Sequence, residues 1–243
     1  MPSSRTTETQ GSHDLYDAFR KQGCPVCILT ESAVHRYMTS TNYDSVGDPV
    51  VRGLFERSHG FCNLHAHSWL EEAFVLGTAQ IYRDVLRVSF DDLRRQSFRS
   101  RPLSQRMSGM LGWGRAENGA GLAQPTGPCP ACDIMVETET RLRRTLLRGL
   151  ADAEYREAYA ASDGLCLGHL RPALLEAERP EVFDALQQRA IATREILLAH
   201  LDETIRKHDY RFRDEPTGDE KGSPARAVEH VAGRRGVTRR QPR

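Results

Sequence analysis

The sequence predicts an all-α protein of two similar helical lobes related by an internal duplication. Apolar residues recur at spacings near 3.6 across charged backgrounds, which is the period of a helix with one buried face. No segment shows the alternation of a half-buried strand. A four-residue pattern also occurs twice, in matching helical surroundings: Cys24-Pro25-Val26-Cys27 is followed by Cys62-Asn63-Leu64-His65, and Cys129-Pro130-Ala131-Cys132 by Cys166-Leu167-Gly168-His169.

The first repeat is expected over 13–97. After its Cys-Pro-x-Cys turn comes a helical segment at 48–58, ending in Ser58-His59-Gly60-Phe61-Cys62, and then a helix marked by Ile81, Val85 and Val88. Residues 98–127 carry repeated glycines and prolines with no sustained apolar period, which predicts a flexible linker. Within it, 107–113 is apolar enough to dock, although a single Trp in a glycine-rich loop is ordinarily incidental. The second repeat is expected over 128–213. Its segment at 152–161 ends in Ser162-Asp163-Gly164-Leu165-Cys166, and one long amphipathic helix over 180–212 follows, with Phe183, Leu186, Ala190, Leu197, Leu201 and Ile205 on its face. A glycine in each Ser-x-Gly-x-Cys element suits the left-handed turn that ends a helix, so the next cysteine should start the following one. The C-terminal extension, 214–243, offers Ser223-Pro224 as the start of a short helix through Val231. A basic tail follows, with Arg234, Arg235, Arg239, Arg240 and Arg243, and its composition predicts disorder.

At 243 residues and a formal net charge of +1, the chain can hold two modest cores and has no overall bias toward nucleic acid or anionic membrane. Residues 1–13 lack the apolar core of a signal peptide, and no run approaches the roughly 18 apolar residues of a membrane span. The expectation is a soluble cytoplasmic protein, because cysteines in ligand spacing suit a reducing compartment.

All six cysteines fall within the two patterns, three in each, and each trio is completed by a histidine at a fixed offset. That composition predicts a Cys3His metal site in each copy. In Cys-Pro-x-Cys the proline fixes φ and removes an amide hydrogen that needs no partner, so two sulfurs leave one tight turn. Cys-x-x-His at a helix start places its ligands one turn apart on one side. The expected quartets are Cys24, Cys27, Cys62 and His65, then Cys129, Cys132, Cys166 and His169; whether ligands combine within a lobe or across lobes is open at this level. Three thiolates and one imidazole around a divalent zinc leave a charge of −1, which helix N-termini stabilise. Four ligands leave no open position, so two structural zinc ions are the first reading. An iron-sulfur cluster is the alternative, since thiolates suit both. A dithiol redox site lacks the adjoining βα unit such motifs use. His67, His59, His35, His200 and His208 read as surface or cap positions. Tyr82, Arg83 and Asp84 read as a partly exposed helical turn, and Glu31, Glu137 and Glu139 as partners of a helix dipole.

The Cys-Pro-x-Cys turns, the repeated Ser-x-Gly-x-Cys-x-x-His element and the closing Tyr210-Arg211-Phe212-Arg213-Asp214-Glu215-Pro216 resemble a bacterial family known only as a domain of unknown function. The resemblance covers most of the chain apart from its termini and the linker. It implies the duplicated lobes and the eight motif residues, and it adds no reaction. The functional expectation is therefore a non-enzymatic, metal-stapled scaffold that engages a protein partner or itself, with an iron-sulfur or dithiol redox protein as the competing class. Nucleic acid enters only through the arginine tail, and no catalytic residue is named.

Overall fold

The computed structural model describes residues 4–72, 74–94, 125–212 and 214–235 of the chain. Ten α-helices and one π-helical turn lie among them, with no strand. In chain order these are α1 (Ser4–Phe19), α2 (Pro25–Ser40), the π turn (Thr41–Ser45), α3 (Pro49–Ser58), α4 (Asn63–Glu71) and α5 (Val75–Arg94). After the linker come α6 (Pro130–Gly149), α7 (Ala153–Ala160), α8 (Leu167–Leu175), α9 (Pro180–Lys207) and α10 (Ser223–Ala232). No helix among the described residues is long and apolar enough to cross a membrane.

The chain forms two compact units that differ from the two contiguous repeats. One joins Met1–His35 to Met135–Arg243, and the other is Arg36–Ile134. The divisions fall inside α2 and α6.

The core of the discontinuous unit is built from residues at helical spacing. Leu15 and Phe19 of α1, Leu142 and Leu146 of α6, Tyr155 and Tyr159 of α7, and Leu186 and Ala190 of α9 are all buried in one cluster. Each pair is four residues apart, so each helix turns one stripe inward. Phe19 meets both tyrosines edge-on, with ring centroids at 5.2 and 5.7 Å, a geometry that adds to plain burial. Asp152 caps α7 by accepting from Tyr155 N at 3.1 Å.

The contiguous unit is organised by an aromatic chain. Phe55 lies against Phe61 at 4.8 Å, Phe61 against Trp69 at 5.2 Å, and Trp69 against Phe74 at 4.9 Å. Trp69 is fully buried, and its indole N–H donates to Thr78 Oγ1 at 2.6 Å. Asp48 caps α3 by accepting from Val50 N at 2.7 Å. The expected segments 48–58 and 152–161 thus form helices, with the aspartates as caps outside them.

The long helix ends at Lys207 instead of reaching residue 212. Arg206 pairs with Glu203 and Glu215, while Lys207 reaches Glu220, so the chain turns back there. Its buried face is Val182, Leu186, Ala190 and Thr193. Phe183 is 36% exposed and Ile205 70%, so the expected stripe matches only at its centre. The C-terminal helix forms as expected. Arg234, read in the sequence as part of a solvated tail, pairs with Glu31 at 2.6 Å. The rest of the basic tail, 236–243, lies outside the described residues, as do 98–124 of the expected linker with its 107–113 segment.

Candidate metal centres

All four hooks share one construction. The carbonyl of the first cysteine in each accepts the first helical hydrogen bond, from Ile28, Ala66, Asp133 and Leu170 at 2.8–3.1 Å. The leading cysteine therefore caps its helix, and the second ligand sits three residues on, in the first turn and facing the same way. Pro25 and Pro130 occupy the position after the cap, where the missing amide hydrogen is no loss. Every ligand pair thus lies at the positive end of a helix, an electrostatic setting suited to thiolates.

The structure exchanges the expected partners. Cys24 and Cys27 gather with Cys166 and His169, and Cys62 and His65 with Cys129 and Cys132. Each Cys-Pro-x-Cys turn is completed by the Cys-x-x-His hook of the other repeat, and each quartet lies within one compact unit. The within-repeat quartets expected from chain proximity are not formed. A physical reason lies in the turns before the Cys-Pro-x-Cys motifs. Gly23 N donates to Asp163 Oδ2 at 2.7 Å, tying the first motif to the loop that leads into Cys166. Likewise Thr126 N and Gly127 N donate to Arg57 O at 2.8 and 3.1 Å, tying the second motif to the helix that leads into Cys62. Asp163 reads in the sequence as a polar cap position, and no spacing signal indicates this tether.

In each quartet the ligand atoms lie within 4.8 Å of one another. The histidines face the sulfurs through Nδ1. In the first quartet His169 Nδ1 is 3.5, 3.4 and 3.2 Å from the sulfurs of Cys24, Cys27 and Cys166, and Cys27 Sγ is 3.7 Å from Cys166 Sγ. In the second, His65 Nδ1 is 3.3, 3.6 and 3.4 Å from Cys62, Cys129 and Cys132, and Cys62 Sγ is 3.7 Å from Cys132 Sγ. All six cysteines are free thiols. Their ionisation is mutually strained: hydrogen bonds from Cys24 and Cys27 push Cys166 down, while the Cys166 sulfur pushes Cys27 up. In the second quartet Cys132 holds Cys129 down to about 3 and is itself driven up. Thiols this close cannot all ionise alone, and a divalent cation is the group that would let them.

The two quartets differ in their surroundings. All four members of the first are buried, whereas Cys62 and Cys129 of the second are half-buried. His169 Nε2 lies 3.2 Å from Glu139 Oε1. Burial would lower the His169 pKa, but the neighbouring Cys166, Cys24 and Glu139 outweigh it and raise it to about 12. A carboxylate behind a ligating imidazole orients the ring and increases its basicity. Glu139, read in the sequence as a helix-dipole partner, has this specific placement. The residue at its offset from the other Cys-Pro-x-Cys motif is Val34, which has no carboxylate. The Nε2 atoms of His65 and His169 are both buried without an aligned hydrogen bond, so what sets the first quartet apart is the carboxylate 3.2 Å behind its imidazole.

Other histidines stand apart from the quartets. His67 is exposed, and His59 ends α3 in the left-handed conformation at φ 53°. His35 and His208 are exposed, but His200 is half-buried and hydrogen-bonded with Arg226 at 3.1 Å. The turn at 82–84 is more enclosed than expected. Asp84 is buried against Arg52 and Arg83. The Tyr82 ring covers Gly60, where an added Cβ would lie 3.0 Å from it, so this position needs glycine for space as well as for its φ of +85°. Burial raises the Tyr82 pKa, and nearby Cys129 and Cys62 add to the effect.

Fold and site together define an all-helical protein with two paired-hook Cys3His centres. The chain belongs to the family of unknown function DUF6062, whose pattern it matches over residues 12–237. Neither the curated proteins nor the solved structures give a match to it.

Proposed function

We propose that the protein is a metal-stapled helical scaffold, holding one zinc ion in each Cys3His quartet and presenting its helices to a protein partner or to another copy of itself. The ligand-edge lengths carry this reading. A tetrahedral zinc, with Zn–S about 2.3 Å and Zn–N about 2.0 Å, requires edges of about 3.8 Å between sulfurs and about 3.5 Å between sulfur and nitrogen. Here the sulfur–nitrogen edges are 3.2–3.6 Å, one sulfur–sulfur edge in each quartet is 3.7 Å, and all the ligand atoms of a quartet lie within 4.8 Å of one another. An iron-sulfur cluster attaches its thiolates to different irons and spreads them beyond the edge of a single coordination sphere. The geometry thus favours one ion per quartet. Four ligands complete the tetrahedron, so the ions would tie distant segments together and would offer no position to a substrate.

Elemental analysis of anaerobically purified protein, with its visible spectrum, tests the proposal. Two zinc per chain and no absorbance near 400 nm are expected from a d10 ion with closed-shell ligands. Iron accompanied by such absorbance would overturn it and bring in the electron-transfer reading.

A further inference from the structure

A cavity of about 520 Å³ lies in the discontinuous unit, bounded by the turn before Cys24, by α9 and by α10. It is separate from the ligand edges of the first quartet, although Cys24 forms part of its wall. Ile196 and Leu197 supply apolar surface, and the polar groups divide into those already satisfied and those left over.

The satisfied groups frame the cavity. Arg226 is fixed by donating to Lys221 O at 2.5 Å and Asp219 O at 2.8 Å, besides its bond with His200. Asp163 accepts from Gly23 N, and Thr193 Oγ1 donates to Asp163 O at 3.1 Å. The unused capacity is mainly for donation. Arg189 spends Nη1 on Ala160 O, while its Nε is buried with no partner. His230 Nε2 is also buried without a partner and is donor or acceptor according to the ring's tautomer. Arg20 and Lys21, both exposed at the mouth, make no side-chain hydrogen bond or ion pair with the described residues. Against these stand two exposed carboxylates, Asp219 and Glu229, the latter with only a long 4.0 Å contact to Arg234.

We propose that this cavity binds a small oxyanion-bearing ligand, a phosphate ester or a carboxylate, with its charged group toward Arg189, Arg20 and Lys21 and its apolar part along Ile196 and Leu197. Unpaired guanidinium N–H groups in a partly desolvated cavity are costly as they stand, and an oxyanion satisfies them with charge-assisted bonds. The cavity lies within the volume range of small-molecule sites. Residues of α10 close one side, which gives the C-terminal extension a role in building the pocket.

Calorimetric titration of the full-length, metal-loaded chain with inorganic phosphate, and separately with succinate, at constant ionic strength tests the inference. One site per chain is expected for at least one of the two anions, and the tighter arm identifies the ligand class. Arg189→Met should weaken binding on the order of tenfold or more. The double substitution Arg20→Ala and Lys21→Ala should also weaken it, and as neither side chain has a hydrogen-bond or ion-pair partner among the described residues, a folding defect does not explain that loss. Arg144→Ala, in a separate cavity of about 600 Å³, should leave binding unchanged. No saturable binding of either anion overturns the proposal, as does binding insensitive to the first two variants. Metal content reports independently on the quartets: absence of zinc from the protein as purified anaerobically would sink the zinc reading, and saturable phosphate binding by that same protein would leave this one standing.

Discussion

At the scale of single residues, chemistry and partnership separate. Which side chains belong to the quartets is legible in the sequence, because a Cys-x-x-Cys or Cys-x-x-His hook is a local device whose spacing matches one helical turn. Which hook meets which is not legible. That depends on helices that bring Cys27 to Cys166 across 139 residues and Cys62 to Cys132 across 70. Glu139 is hidden for the same reason, since nothing local distinguishes a carboxylate behind an imidazole from one that merely faces a helix dipole. Cys62→Ser tests the exchange directly. It should cost one metal equivalent and expose Cys129 and Cys132 to alkylation, while Cys24 and Cys27 remain protected. Mass-spectrometric mapping that instead found Cys24 and Cys27 labelled would restore the within-repeat pairing.

At the scale of elements, the starts of helices are better signalled than their ends. Asp48 and Asp152 announce where α3 and α7 begin because they cap with their side chains, and the hook helices are marked by the residues beside their leading cysteines, Pro25 and Pro130 at the first helical position and the Ser-x-Gly turns before Cys62 and Cys166. The end of α9 depends instead on a distant group. Lys207 meets Glu220 at 2.8 Å, and Glu220 also accepts from Gly218 N at 3.0 Å. These bonds, Lys207 first, lower Glu220 from 4.5 to about 2. A carboxylate with a depressed folded pKa stabilises fully above its unfolded value and loses that contribution as pH falls through the folded one. Glu220→Gln should therefore reduce resistance to urea at pH 6, with the gap from the parent protein narrowing as pH falls from about 4.5 toward 2. A gap that stayed constant over that range would show that Glu220 acts by packing instead of by charge.

At the scale of the whole chain, the two quartets call for different kinetics. The first is enclosed and has Glu139 3.2 Å behind its histidine; the second exposes Cys62 and Cys129 in part and has Val34 where the matching carboxylate would stand. Loss of a carboxylate behind a metal ligand typically costs about 10–100-fold in metal affinity. Chelator challenge should accordingly release metal in two steps, one equivalent well before the other. Cys132→Ser should remove the early step, and Glu139→Gln should hasten only the late one. Release in a single step, or an early step that survived Cys132→Ser, would contradict this ranking.

The exchange of hooks also has a consequence during synthesis. Cys24 and Cys27 emerge first, yet their partners lie 139 residues further along, measured from Cys27 to Cys166. At ordinary elongation rates that interval lasts about 7–28 s. The wrong hook, Cys62 with His65, arrives only thirty-five to thirty-eight residues after Cys27, so a competent but non-native quartet is complete long before the native one. On the proposed metal-stapled reading, a metal ion supplied to the nascent chain would close that premature ring, so the order of synthesis sets a problem of timing in which metal delivered late favours the native pairing.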